Sequence, residues 1–455
     1  MTRKSLSTSN NPQKTENQEV LTSEQSRLGD VQLLVRGHWS FSPLVLLLLL
    51  PVPIFVLSYF EPTSAYLNWG QPYLLNNTFW VYAATNLAVI ACVFLFGFSS
   101  NQKSNILIFT QDQMYRLERV TRLITIITFL SYGTWLTIGI IRGLNLELVR
   151  DVFSGSNGAI WVLKTTILAP ISGVTTWSQL GVVLGPLLVI RQRLTGRKQT
   201  RLFASLFIVT LLRAIFFSER LALVEVVVTT AVAYLFLAPK LPSILLRPWK
   251  FVLSWIALAA CYVTFFATTE FFRSWTFYST VTQQNIFQFS YDRIIAYYAT
   301  AFNNGALYLN TNGLSWDPFA LIQGNFGLFG LQDFLVNTSE GGAARFTNAL
   351  WSSSDPEFSN VSGLFLTTSS LGILASWLFW LGLSLLIVSI YRKAVSGSPT
   401  SIVAYSVATV GVLEIDRLFY FGQSRTLPVI IALILFSLYL SPPHTKPTAA
   451  SSEKV

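Results

Sequence analysis

Histidine and cysteine are almost missing: the 455 residues contain two of each. Cys92 and Cys261 fall inside apolar runs, where a cysteine reads as a small packing residue rather than half of a disulfide or a metal ligand. His38 and His444 lie near opposite ends, and no cysteine or histidine group has metal-ligand spacing, so no metal site is expected from these residues. Charge is scarce as well. Asp, Glu, Lys and Arg make up 11% of the chain, against about 25% in an ordinary soluble domain. A surface mostly bathed in water is thereby excluded. There is no GxxxxGK[ST] phosphate loop and no GxGxxG after a strand, which sets aside the common nucleotide chemistries. A nucleic-acid partner is not expected.

What the chain has is apolar length. It is 52% hydrophobic, with a mean hydropathy of +0.51. Apolar runs of roughly 17 to 25 residues recur, each long enough to span a bilayer. They do not alternate as barrel strands do. A helix satisfies its own backbone hydrogen bonds in lipid. The fold class is therefore an all-α polytopic membrane protein, a bundle of about ten transmembrane helices with a large, partly helical outer loop. Expected spans run Phe41 to Phe60, Thr78 to Phe98, Val120 to Ile141, Ile167 to Ile190 and Leu202 to Phe217. They continue with Leu221 to Ala238, Phe251 to Thr269, Leu371 to Tyr391, Ser401 to Phe421 and Thr426 to Leu440. Residues 1–40 read as a polar cytoplasmic tail, disordered to about Asp30, and 41–270 as transmembrane helices 1–7. Residues 271–360 read as the outer loop, 361–440 as helices 8–10 and 441–455 as a second cytoplasmic tail. The start is too long and too acidic for a signal peptide, so the first apolar run is expected to be retained.

Charge sets the orientation. With the N-terminus in the cytoplasm, the inner segments hold 21 of the 31 Lys and Arg residues. Every inner loop is then basic, while the outer loop Glu61 to Asn77 contains no Lys or Arg. The positive-inside rule then puts both termini in the cytoplasm and requires an even number of spans.

The outer ten cations are nine arginines and one lysine: Arg142, Arg150, Lys164, Arg213, Arg220, Arg273, Arg293, Arg345, Arg417 and Arg425. Arg213 and Arg417 sit inside apolar runs, where an unpaired charge costs several kcal/mol. Arginine suits planar, bidentate contact with phosphate or carboxylate. One reading pairs these arginines with outer acids or lipid headgroups. The sharper reading is an outward cavity for a phosphate-bearing substrate. Outer acids accompany them: Glu219 beside Arg220, Glu225, Glu270, Asp292 beside Arg293, and Glu414 and Asp416 beside Arg417. The loop Phe271 to Asn360 contains 20 aromatic residues, among them Tyr291, Tyr297 and Tyr298. Its piece Asp292 to Leu309 looks helical, with Ser290 as N-cap. Trp316 to Leu331 reads as re-entrant or interfacial. Aromatic faces suit sugar rings, membrane interfaces, or the loop's own core.

Three stretches resemble a family. Ile171-Ser-Gly-Val-Thr-Thr-Trp-Ser-Gln-Leu-Gly181 looks like the PG-T-T-QLG segment of oligosaccharide repeat unit polymerases, the O-antigen polymerase (Wzy) type. The stretch from Arg213 to Glu225 resembles that family's Arg and Ser-Glu-Arg span. Tyr291 to Gly305 is similar to its Tyr-Arg-Tyr-Asn-Gly stretch, and Asn360 to Gly382 resembles the span that follows. The likeness runs in order over roughly Arg142 to Tyr391. One departure is that eleven residues after Arg293 stands Asn304 and only then Gly305.

The resemblance implies a bacterial inner (plasma) membrane enzyme without metal or soluble cofactor. It would join undecaprenyl-pyrophosphate-linked glycans into a surface polysaccharide on the periplasmic face, among membrane lipid and with a chain-length regulator as a possible partner. Pyrophosphate is the leaving group, so arginines should stabilise charge that grows in the transition state. Arg213, Arg220, Arg293 and Arg417 are expected at the pyrophosphate, with Arg345 and Arg425 behind them. Glu219, then Asp292, is expected to take the acceptor hydroxyl's proton, and Tyr291, Tyr297 and Tyr298 to meet the sugar. Rival readings are an O-antigen ligase-like transferase, whose outer histidine is missing, a flippase of lipid-linked sugars, and a structural envelope subunit.

Overall fold

The structure is a computed structural model, and it describes residues 31–60, 72–98, 104–154, 156, 158–171, 173–216, 219–238, 248–271, 275, 278–280, 284–326, 342–353, 358–440 and 444–447. The first run starts as α1 (Pro43–Leu49), with Ser42 Oγ accepting from Val45 N at 3.3 Å. Pro51 cannot donate to the preceding turn, so the helix breaks at Leu50 and resumes as α2 (Pro51–Phe60). The second run is α3 (Asn77–Gly97), capped by Asn76. The third, α4 (Gln111–Ile141), begins at a capping box between Thr110 and Gln113. It starts well before the expected Val120 because its first turns are polar and hydrated, with Asp112 and Arg116 paired at 2.8 Å.

The remaining helices are α5 (Leu146–Phe153), α6 (Gly181–Thr195), α7 (Thr200–Phe216), α8 (Arg220–Phe236), α9 (Pro248–Glu270) and α10 (Ile286–Asn312). Then follow α11 (Gly342–Ser353), α12 (Gly363–Leu371), α13 (Ile373–Val395), α14 (Pro399–Leu413) and α15 (Thr426–Tyr439). Among the described residues, five helices are long and apolar enough to cross a membrane by length and composition: Pro43–Phe60, Asn77–Gly97, Gln111–Ile141, Val252–Glu270 and Ile373–Val395. α14 and α15 are apolar but shorter. Large apolar side chains face outward along these helices, Phe96 at 85% and Leu438 at 79% exposure. Such a surface fits lipid rather than water. The protein is a helical, membrane-embedded bundle.

Three short strands form a sheet that an all-α reading did not anticipate. β1 (Val31–Arg36), β2 (Ser104–Phe109) and β3 (His444–Pro447) pair antiparallel with β2 in the middle. Leu33 stands opposite Leu107, which stands opposite Thr445. Alternation in Val31-Gln-Leu-Leu-Val-Arg36 buries Leu33 and Val35. The end of the first tail, from Val31, is therefore ordered. Residues 1–30 lie outside the described residues. The sheet gathers three segments that charge counting assigns to one side, and it marks one end of the bundle.

Several expectations need correction. The fourth run is not one helix. Only Gly181–Thr195 is regular, preceded by a 3-10 segment, Thr175–Leu180. The ninth run stops at Leu413, so Glu414, Asp416 and Arg417 stand on a turn beyond α14. α10 is capped by Asn285, not Ser290, because Asn285 Oδ1 accepts from Gln288 N at 2.9 Å. Cys92 and Cys261 are free and exposed, so neither packs a core. Of the expected re-entrant stretch, Pro318–Leu321 and Gln323–Phe326 form short helical turns, and residues 327–331 lie outside the described residues.

The outer loop is not an appendage. α10 packs against α2, α9, α11 and α12. Asn303 ties it to the residues before α3, accepting from Leu74 N at 2.8 Å and donating to the Pro72 carbonyl at 2.9 Å. Phe302 packs edge-on or tilted against Phe55, Trp80 and Phe365, so this loop ring is core.

Candidate functional site

Two breaks in the helical ladder shape the site. Pro170 and the left-handed Gly173 (φ 76°) stop the chain from entering the fourth run as helix. The Thr175 hydroxyl answers the backbone instead, accepting from Ile171 N at 3.1 Å. The 3-10 turn that follows presents Ser178 and Gln179, both buried. The second break lies between α14 and α15, where Glu414 to Arg425 runs as turns and one 3-10 segment. α15 packs on the first break. Irregular backbone at membrane depth is tolerated where it is buried in protein or lines a cavity.

Around these breaks the charges link. Arg213, on α7, gives both Nε and Nη2 to Glu219 and turns Nη1 to Ser178 Oγ at 2.7 Å and Gln179 Oε1 at 2.9 Å. Gln179 Nε2 donates to Glu225. Glu225, fully buried on α8, also lies 3.7 Å from Arg425 Nη1. Arg220 pairs with Glu270 at the end of α9, and Glu270 pairs in turn with Arg293 Nε at 3.2 Å. Arg417 Nη1 donates to Glu414 Oε2 at 3.0 Å. Rings insulate the cations. Arg220 lies 3.8 Å from the Phe266 centroid, Arg417 5.5 Å from Tyr297, and Arg293 5.2 Å from Phe358.

A cavity of about 130 Å³ opens among these groups, lined by Glu219, Arg220, Tyr262, Phe266, Tyr297, Tyr298, Glu414, Arg417 and Arg425, with Leu221, Val224 and Ile294. It sits at the end opposite the sheet: α6 begins beside Gln179 and ends where Arg191 meets Glu118 at 2.9 Å, near β2. Three guanidiniums face two carboxylates across it, and Glu219 is already answered from behind by Arg213. Arg220 Nη1, Arg417 Nε and Arg425 Nη1 are buried N–H groups without a hydrogen-bond partner among the described residues. A buried donor left unmade is costly unless something enters to meet it. The arrangement suits an oxyanion carrying several acceptors. Burial alone raises the Glu219 carboxyl, but Arg213, with Arg425 and Lys164, outweighs it and holds the group down at about 2.

The residues singled out from sequence divide into groups. Arg220, Arg417, Arg425, Glu219, Tyr297 and Tyr298 line the cavity. Arg213 stands behind Glu219. Arg293 is fully buried, outside the cavity lining, and pairs with Glu270, which also pairs with Arg220. Arg345 lies elsewhere, its Nε donating to Asn312 Oδ1 at 3.1 Å near the far end of α10. Tyr291 is exposed, and Asp292 accepts from Gln284 at 2.6 Å, outside the cavity lining. Ser218 lies outside the described residues. Tyr262 was overlooked. Its signal is the spacing Tyr262, Phe266, Glu270 on α9, one residue per turn on a single face of an otherwise lipid-like run. Glu225, Glu270 and Glu414 read only as nearby acids, because sequence does not pair them with particular arginines.

Among the described residues, no group of three or more His, Cys, Asp or Glu side chains is placed to hold a metal ion. No family model matches the chain, and no curated protein and no solved structure matches it.

Proposed function

We propose that the chain is a periplasmic-face polymerase of the oligosaccharide repeat unit (O-antigen) type, joining undecaprenyl-pyrophosphate-linked repeat units. In this reading it crosses a bacterial inner membrane ten times, with both termini in the cytoplasm. The observation that carries the reading is convergence: five of the six arginines named from sequence pair with four glutamates in three groups around one cavity, where three guanidinium N–H groups have no hydrogen-bond partner among the described residues. Headgroup arginines would scatter around a rim instead.

In the reaction the acceptor hydroxyl oxygen forms a bond to the donor's anomeric carbon. The bond from that carbon to the pyrophosphate oxygen breaks, and its electron pair leaves with the pyrophosphate. Arg220, Arg417 and Arg425 meet the charge that grows there. The hydroxyl proton goes to a cavity carboxylate. Glu219 spends its carboxylate on Arg213 and is a weak base at about 2. Glu414 accepts from Arg417 at Oε2 and, among the described residues, has no hydrogen bond at Oε1. The proton is therefore assigned to Glu414, and Arg293 and Glu270 position Arg220.

The test is genetic. Deleting the gene should leave single repeat units capped on the acceptor, and wild-type protein should restore long chains while Arg220→Ala at normal protein level does not. Loss of all outer sugar on deletion would point to a flippase. Long chains stranded on the lipid carrier would point to a ligase. Unchanged polymer length with Arg220→Ala and Arg417→Ala would sink the site assignment.

A further inference from the structure

A second concavity lies toward the sheet end, between α6, α7 and α8. It holds about 500 Å³ and is open to the outside of the bundle. Phe203, Leu206 and Phe207 of α7 face Val226, Val227 and Ala231 of α8 across it. Its back wall exists because α6 and α8 nearly touch. A Cβ on Gly185 would stand 2.0 Å from Thr230 Oγ1, so only glycine allows that approach.

Polar groups cluster at one mouth. Gln192 and Arg193 of α6 lie at the sheet end, where Arg193 rests 4.8 Å from the Tyr234 ring centroid. Arg197, Lys198 and Arg201 follow within a turn or two and are exposed, and no acidic residue occurs between Asp151 and Glu219. The apolar wall from Val226 to Leu235 rises about 14 Å at 1.5 Å per residue. That is close to half of a hydrocarbon core about 30 Å thick. A cationic mouth above an apolar slot one leaflet deep matches one amphiphile.

We propose that this groove is a binding site for an anionic phospholipid of the leaflet at the sheet end, with one acyl chain along Val227 and Ala231 and the phosphate at Arg193. The dimensions exclude a much longer isoprenoid tail lying at full length in the slot. The site shares no lining residue with the arginine cavity, so it stands whatever that cavity does.

The test uses the full chain purified in detergent, titrated with phosphatidylglycerol or with phosphatidylcholine of the same acyl chains, and read by native mass spectrometry. Wild-type protein should retain one phosphatidylglycerol at activation energies that strip phosphatidylcholine, with a preference of at least tenfold. Arg193→Gln should abolish that preference while phosphatidylcholine binding persists. Val227→Trp, which fills the slot, should remove the retained lipid altogether. Should Val227→Trp fail to fold, as judged by its thermal melt, Arg193→Gln alone decides. An unchanged preference in Arg193→Gln, or a lipid retained equally by a folded Val227→Trp, overturns the proposal. So does displacement of phosphatidylglycerol by an equimolar polyprenyl diphosphate.

Discussion

The two ends of the bundle use the same ion pair, Arg with Glu or Asp, in opposite settings. At the sheet end, Arg122 and Glu118 stand 3.7 Å apart with 72% and 46% of their side chains exposed. At the cavity end, Arg293 and Glu270 stand 3.2 Å apart with none. Exposed pairs contribute about 0–1 kcal/mol, because water solvates each partner almost as well. Buried pairs must outweigh the desolvation of both ions, and breaking one strands the other. The sheet end therefore holds charge in water-exposed pairs, where the identity of either partner matters little. The cavity end holds charge in fixed geometry, where the partner's identity matters.

Removing Glu270 tests this contrast hardest. Glu270→Gln removes the buried carboxylate that Arg220 and Arg293 share, and it should lower stability by about 3–5 kcal/mol, measured by unfolding in detergent. A loss no larger than at the sheet end would erase the distinction between the two ends. Next comes Arg220→Ala. Under the proposed polymerase function, losing one preorganised donor to a developing oxyanion should reduce polymer formation roughly 100- to 1000-fold, measured as initial rate with lipid-linked donor. Arg220→Lys keeps the charge but not the planar fork and should fall between.

A milder effect concerns pH. Glu219 has a folded value of about 2, below its ordinary value. Its stabilisation is therefore full above the unfolded value of about 4.3 and is lost only as pH falls through about 2. At pH 4 the carboxylate should remain ionised, which the difference infrared spectrum of wild type against Glu219→Gln would read. A protonated band at pH 4 would mean that Arg213 does not hold it. The smallest effect belongs to the sheet end, where Arg122→Ala should change stability by less than about 0.5 kcal/mol.

The apolar runs made much of the fold readable, since lipid demands continuous helices and penalises exposed backbone. α3, α7, α8, α9 and α15 lie within a few residues of their expected limits. The polar Ser218-Glu219-Arg220 stretch, read as a break between two apolar runs, falls at the junction of the separate helices α7 and α8. Hydropathy could not see that the fourth and ninth runs dissolve into turns, because Ser178, Gln179, Asp416 and Tyr420 are satisfied or buried by distant segments rather than by neighbours. Nor could it pair Arg425 with Glu225, which are far apart in the chain. The sheet escaped notice because its strands stand alone in sequence and acquire partners only when the bundle assembles.

That sheet has a consequence for biogenesis. β1 and β2 flank the first two hydrophobic helices and can pair while most of the chain is still being made. β3 is the last described strand to be synthesised, and it covers the open edge of β2 at Asn105 to Ile108. Until it arrives, the nascent protein carries an unpaired ladder that a second molecule's strand can occupy. Truncation after Leu440 should therefore leave insertion intact but promote edge-to-edge association, visible as oligomers that the full chain does not form.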